Sequence, residues 1–150
     1  MIVRLVLGTL FIGMAAGQAA SWPHMPEILA AYQVPGLANH GFVAGLVAAH
    51  LVCGVWLLAM PRSTSLAPVW LYLAVALLWT GLGLQGVLRG LEVDNCGCFG
   101  LYLTQRLSWF VLAQDGLLLL YGYLMVRSAR RARGGATELA PERSPRTGAV

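Results

Sequence analysis

Apolar residues along this chain fall into long runs, not into the spaced stripes of amphipathic helices. The first run covers residues 2–20 and is broken only by Arg4. Three more follow at 41–60, 68–87 and 107–126, closed by Pro61-Arg62, Arg89-Gly90 and Arg127. A helix needs about 20 residues to cross the hydrocarbon core, and each run has that length. Backbone groups in lipid must pair within the protein, which leaves helices or a closed barrel. A barrel needs alternating segments of about ten residues, and none is present. The pattern predicts an all-α integral membrane protein, a four-transmembrane-helix bundle over residues 1–126. A secretory leader is the competing reading of the first run, with small residues at Gly17-Gln18-Ala19 that suit a peptidase. The run is longer than the roughly 7–15 apolar residues of a leader, so a retained helix is the better reading.

The connections carry their own signals. Residues 21–39 hold Pro23, Pro26 and Pro35, with a short interfacial helix predicted over Glu27–Tyr32. Trp22 and Tyr32 suit the headgroup level. Gly81, Gly83 and Gly86 leave the third helix open to close packing. Residues 127–150 are rich in Arg, Gly, Pro, Ser, Thr and Glu without apolar periodicity, which predicts a disordered basic tail.

Composition agrees: 58% of residues are hydrophobic and 11% charged, against about 25% charged in soluble domains. The expected surroundings are the lipid bilayer. All ten basic residues are Arg and the formal charge is +4. Arg127, Arg130, Arg131 and Arg133 flank the last run, as topology signals or contacts for anionic lipid heads; no nucleic-acid partner is expected. Arg4, Arg62 and those four lie on the side of the termini, against Arg89 and Arg106 on the other. That bias predicts a multi-pass protein of the cell membrane with cytoplasmic termini, and it puts the 21–39 and 89–106 loops outside. Outside is also where disulfides persist.

The 89–106 loop contains Asp94-Asn95-Cys96-Gly97-Cys98-Phe99-Gly100. Two cysteines one residue apart close a very small, strained ring when paired. Strained, exposed disulfides are the labile or catalytic ones, whereas a structural staple gains more from a long loop. The spacing therefore favours exchange. Soft-metal ligation by Cys96 and Cys98, copper or zinc, stays open, as does an inert loop. Cys53 lies about a dozen residues into the second helix, ~18 Å deep, and reads as a small buried hydrophobe.

Ionisable groups inside a membrane are functional candidates by default. His50 lies about ten residues into the second helix and Asp115 about eight into the fourth, ~15 and ~12 Å from the outer face. Matching depths predict that they face each other, or share a polar cavity beneath the loop. There they would form a proton relay for the thiols, or a pair that only fixes helix packing. Arg89 and Arg106 bracket the loop, where they would lower a thiol pKa or snorkel to headgroups. His24 and His40 read as exposed loop residues. Trp22, Trp70, Trp79 and Trp109 read as interface or packing groups.

The Cys-Gly-Cys-Phe-Gly core, set between the third and fourth of four short apolar helices, resembles the MauE branch of the DoxX-like membrane proteins. Arg4, Phe11, Ala16-Gly17, Tyr32, Pro35 and Asp115 fit the same pattern, and the likeness covers residues 2–126. It departs at His50, where the family commonly carries Glu, and at Gln114, where the family is often basic. The resemblance implies a redox-associated membrane protein that supports maturation of the disulfide-rich methylamine dehydrogenase. It also implies an extracytoplasmic thioredoxin-like partner or a disulfide-rich client.

The expected function is thus thiol–disulfide exchange through Cys96 and Cys98, a possible thiol-disulfide oxidoreductase. Electron transfer onward to a quinone rests on analogy with other four-helix disulfide-forming proteins. The alternative is a non-enzymatic copper-handling or assembly subunit of a membrane complex.

Overall fold

The computed structural model describes residues 2–61, 63 and 65–138, with side chains placed as far as Arg131. Arg62 and the tail beyond residue 138 lie outside the described residues. The elements are α1 (Ile2–Ala20), α2 (Met25–Ala30), α3 (His40–Ala59), α4 (Ala67–Leu88) and α5 (Trp109–Glu138). No strand occurs among the described residues. Four helical stretches are long and apolar enough to cross a membrane: Ile2–Ala20, His40–Ala59, Ala67–Leu88 and Trp109–Arg131. The chain is an all-helical, multi-pass membrane protein.

Local chemistry sets the helix ends. Asn39 caps α3, its side chain accepting from the Phe42 N–H at 2.8 Å, which satisfies one orphan donor of the first turn. Pro68 sits in the first turn of α4, where its missing N–H costs nothing. At the far end of α3, Arg4 donates to Met60 O and Ser65 O, both at 3.3 Å. It thus ties the start of α1 to the α3–α4 turn, beyond the topological role read from sequence. The last span does not stop at Val126. The helix runs on to Glu138, because Arg and Ala are strong helix formers and no proline intervenes before Pro141.

The main helix contacts follow the order α1, α3, α4, α5. α1 and α3 meet backbone to backbone: a Cβ on Gly8 would lie 3.0 Å from Gly54 O, and one on Gly54 would lie 2.9 Å from Gly8 O. Small residues give such contacts in lipid, where apolar burial drives little. Gly83 and Gly86 do face neighbours, while Gly81 meets open space. The core holds Leu7, Phe11, Leu46, Leu57, Tyr72 and Trp79. Leu51, Val52, Val55, Leu77 and Leu120 face outward, as a bilayer solvent permits. At one end of the bundle the 21–39 and 89–108 connections fold together over the core. At the other, α5 emerges with its arginines.

Candidate functional site

The loop before α5 is built by glycine geometry and by hydrogen bonds to its backbone. Gly97 and Gly100 take φ of +81° and +65°, the left-handed region that side chains resist. Asn95 braces this turn: its Oδ1 accepts from Gly97 N–H at 3.0 Å and its Nδ2 donates to Gly100 O at 2.9 Å. Side chains from elsewhere take up the remaining carbonyls. The Tyr32 hydroxyl donates to Cys96 O at 2.9 Å. Gln18 Nε2 donates to Cys98 O at 3.1 Å and Gly97 O at 3.4 Å. The Leu101 N–H donates to Ser21 Oγ at 2.8 Å, and the Cys96 N–H to Gln105 O at 2.8 Å.

This bonding turns the expected exposed loop into a buried plug. Cys96 is 2% and Cys98 8% exposed. A Cβ on Gly97 would lie 2.9 Å from Ile28 on one side and 3.4 Å from the Trp79 ring on the other. The cysteine spacing predicts an exposed pair, but the 21–39 connection folds over it through Ile28 and Tyr32 and is the lid of the plug.

Both cysteines carry free thiols, and the Cys98 thiol is placed to share its proton with the Cys96 sulfur in a hydrogen bond. That bond lowers the Cys96 pKa to about 7 against the opposing effect of burial. The same bond, with burial, pushes Cys98 well above the ordinary thiol value. The pair is therefore asymmetric, one nucleophile and one proton-holding neighbour. Burial and the nearby thiols raise the Tyr32 pKa, so its hydroxyl stays a donor.

Asp115 joins this pair and His50 does not. Asp115 is 7% exposed and close enough that its charge opposes ionisation of both thiols. It lines a cleft of about 270 Å³ together with Cys98, Phe99, Gln105 and Gln114. His50 is fully buried, with Nδ1 2.8 Å from Leu46 O and Nε2 accepting from Trp79 Nε1–H at 3.3 Å. Both ring nitrogens are occupied, and the ring packs on Phe11 with centroids 5.2 Å apart. His50 touches neither Asp115 nor the cleft, so the expected shared cavity does not form. Equal depth did not mean a shared face. His50 reaches the loop through Trp79, which packs against Gly97.

The other expected participants sit elsewhere. Arg106 makes two bonds to Asp94, at 2.9 and 3.0 Å, on the exposed surface. Arg89 binds Gln85 and Gln33 at 2.7 and 3.1 Å. Cys53 is buried and its thiol donates to Pro68 O at 3.6 Å, at the far end of α4 from the loop. His24 lies 3.7 Å from Glu27, and His40 stacks on Trp22. No cluster of three metal-ligating side chains occurs among the described residues.

Gln18, Tyr32, Asn95 and Trp79 were not read as site residues from sequence. For Gln18 a signal existed: a lone amide in the last turn of an apolar helix is costly unless it is used. It is fully buried, and its Oε1 is a buried side-chain atom without a partner.

Comparison with known proteins adds one finding. The family model described as methylamine utilisation protein MauE matches residues 1–127, from α1 to the first arginine of α5. No curated protein and no solved structure gives a match.

Proposed function

The chain belongs to the MauE family of methylamine utilisation proteins, and we propose that it exchanges thiol for disulfide through Cys96 and Cys98. The partner is an extracytoplasmic thioredoxin-like protein or a disulfide-rich client, in support of methylamine dehydrogenase maturation. The observation that carries this reading is the pair of free thiols one glycine apart, held in a single braced turn beside Asp115, with Cys96 the readier of the two to ionise. In the oxidising half-reaction the Cys96 thiolate attacks a partner disulfide, forming a mixed disulfide and releasing a partner thiolate. Cys98 then loses its proton and attacks Cys96, giving the Cys96–Cys98 disulfide and a second partner thiol. Two electrons pass to the partner, which takes up two protons. The reverse sequence delivers a disulfide outward. The arginine bias supports an outward-facing loop. A protein partner reaches the pair by displacing the 21–39 segment, whose Ile28 side chain covers Gly97.

Trapping tests it. In cells, Cys98→Ser keeps a hydroxyl donor but removes the resolving sulfur. A reducible adduct through Cys96 should then accumulate on non-reducing gels, and it should vanish with Cys96→Ala. Absence of any Cys96-dependent adduct contradicts the proposal.

A further inference from the structure

The cleft at Asp115 has a shape and an address of its own. It runs along the seam between α1 and α5, the two spans at opposite ends of the contact order. Its walls are apolar, with Leu10 and Met14 on α1 and Leu118 on α5. Its mouth carries Val6 and Leu117, which are 60% and 48% exposed and face lipid. Its polar groups gather at the loop end: Cys98, Asp115 and the Gln105–Gln114 pair, whose amides bond at 2.8 Å. The wall from Val111 to Tyr121 spans eleven residues, or ~15 Å of helix.

Two features point to a ligand. Asp115 is more than nine-tenths buried and lines the cleft, its Oδ2 lying toward Gly83 of α4, yet no group among the described residues hydrogen-bonds it. A carboxyl in that setting needs a partner. The second feature is Cys98, a sulfur of the exchanging pair, which forms part of the same surface while Cys96 does not. An acyl chain would fill the walls and leave both groups idle. A water-soluble acceptor has no apolar body to match them. The matching chemistry is an apolar tail carrying a head that accepts two electrons and two protons.

We propose that the α1–α5 cleft is the docking site of a lipid-soluble quinone, which enters sideways from the bilayer and rests its head against Cys98 and Asp115. The inference rests on the exchange reading above and supplies its terminal electron acceptor. Both S–H bonds break and the Cys96–Cys98 bond forms. Two electrons and two protons leave the dithiol, and the two quinone carbonyl oxygens become hydroxyls. The Asp115 carboxylate holds one of those protons in transit.

The test uses the full chain in lipid nanodiscs, reduced and freed of reductant. Decylubiquinone and a naphthoquinone of equal tail length are offered separately, and quinol and the Cys96–Cys98 disulfide are quantified together. One disulfide should form per quinol. Val6→Trp and Leu117→Trp plug the mouth from the lipid side and should slow the reaction roughly tenfold or more, since misplacing reacting groups by about an ångström costs that much. Gly45→Leu, facing open space on α3, should leave the rate unchanged. All variants should still react normally with oxidised glutathione. The inference is overturned if neither quinone oxidises a pair that glutathione does oxidise. It is equally overturned if the plugged variants match the parent, the result expected when the cleft holds only lipid. A pair inert to glutathione as well would remove the exchange reading itself.

Discussion

Replacing Cys98 with Ala separates the hydrogen bond from everything else that acts on Cys96. The hydrogen bond from Cys98 is the largest influence on Cys96 and lowers its pKa to about 7 from 9.0, while burial acts the other way. Alanine removes the donor and keeps the burial, so the Cys96 pKa should return to the ordinary value or above. At pH 7 the thiolate fraction then falls from about one half to about one per cent, roughly fiftyfold. Part of this is regained, because nucleophilicity rises with pKa at a Brønsted slope of about 0.4–0.5, or roughly eightfold over two units. The expected result at pH 7 is alkylation of Cys96 about sixfold slower than in the parent. Above the new pKa the order should invert, with the variant faster. Cys98→Ser, which still donates, should lie between. Iodoacetamide labelling of the detergent-solubilised protein, read as the mass of the peptide covering residues 89–106, gives the pH profile. A Cys96 profile indifferent to Cys98→Ala would refute the hydrogen-bond account.

Three other changes test the architecture around the pair. Tyr32→Phe leaves Cys96 O buried without its 2.9 Å donor and should cost about 1–3 kcal/mol in thermal or denaturant unfolding. Gly97→Ala places a Cβ against Ile28 at φ +81°. It should cost about 1–3 kcal/mol and raise the labelling rate of both thiols as the plug loosens. Asp115→Asn keeps the shape of the cleft and should slow oxidation of the pair by a lipid quinone roughly a hundredfold or more. Circular dichroism of the Asp115→Asn bundle should be unchanged.

Much of the fold was legible because lipid enforces it. A run of 20 apolar residues has one stable backbone solution in a bilayer, so α1, α3 and α4 lie within a residue of the runs at 2–20, 41–60 and 68–87. The same logic gives no information once the chain leaves the membrane, and there α5 continued to Glu138 on helix propensity. Cys96 and Cys98 could be singled out because their spacing is local. Their burial could not, since the bonds that cause it join residues 64 and 80 positions apart, Tyr32 to Cys96 and Gln18 to Cys98. His50 and Asp115 show a related gap. Counting residues fixes depth in a helix, but a helix apolar on every side carries no sign of which face turns inward. His50 turned toward Trp79, and Asp115 toward Gly83 beside the α1–α5 cleft.

The central claim is that Cys96 and Cys98 cycle between dithiol and disulfide. Equilibrating the purified protein across a series of glutathione redox buffers, quenching with an alkylating reagent and weighing the 89–106 peptide measures this directly. The account predicts a two-electron transition in which both thiols disappear together and return on reduction, with Cys53 unchanged. Two alkylatable thiols at every buffer ratio, or a disulfide that recruits Cys53, would contradict it.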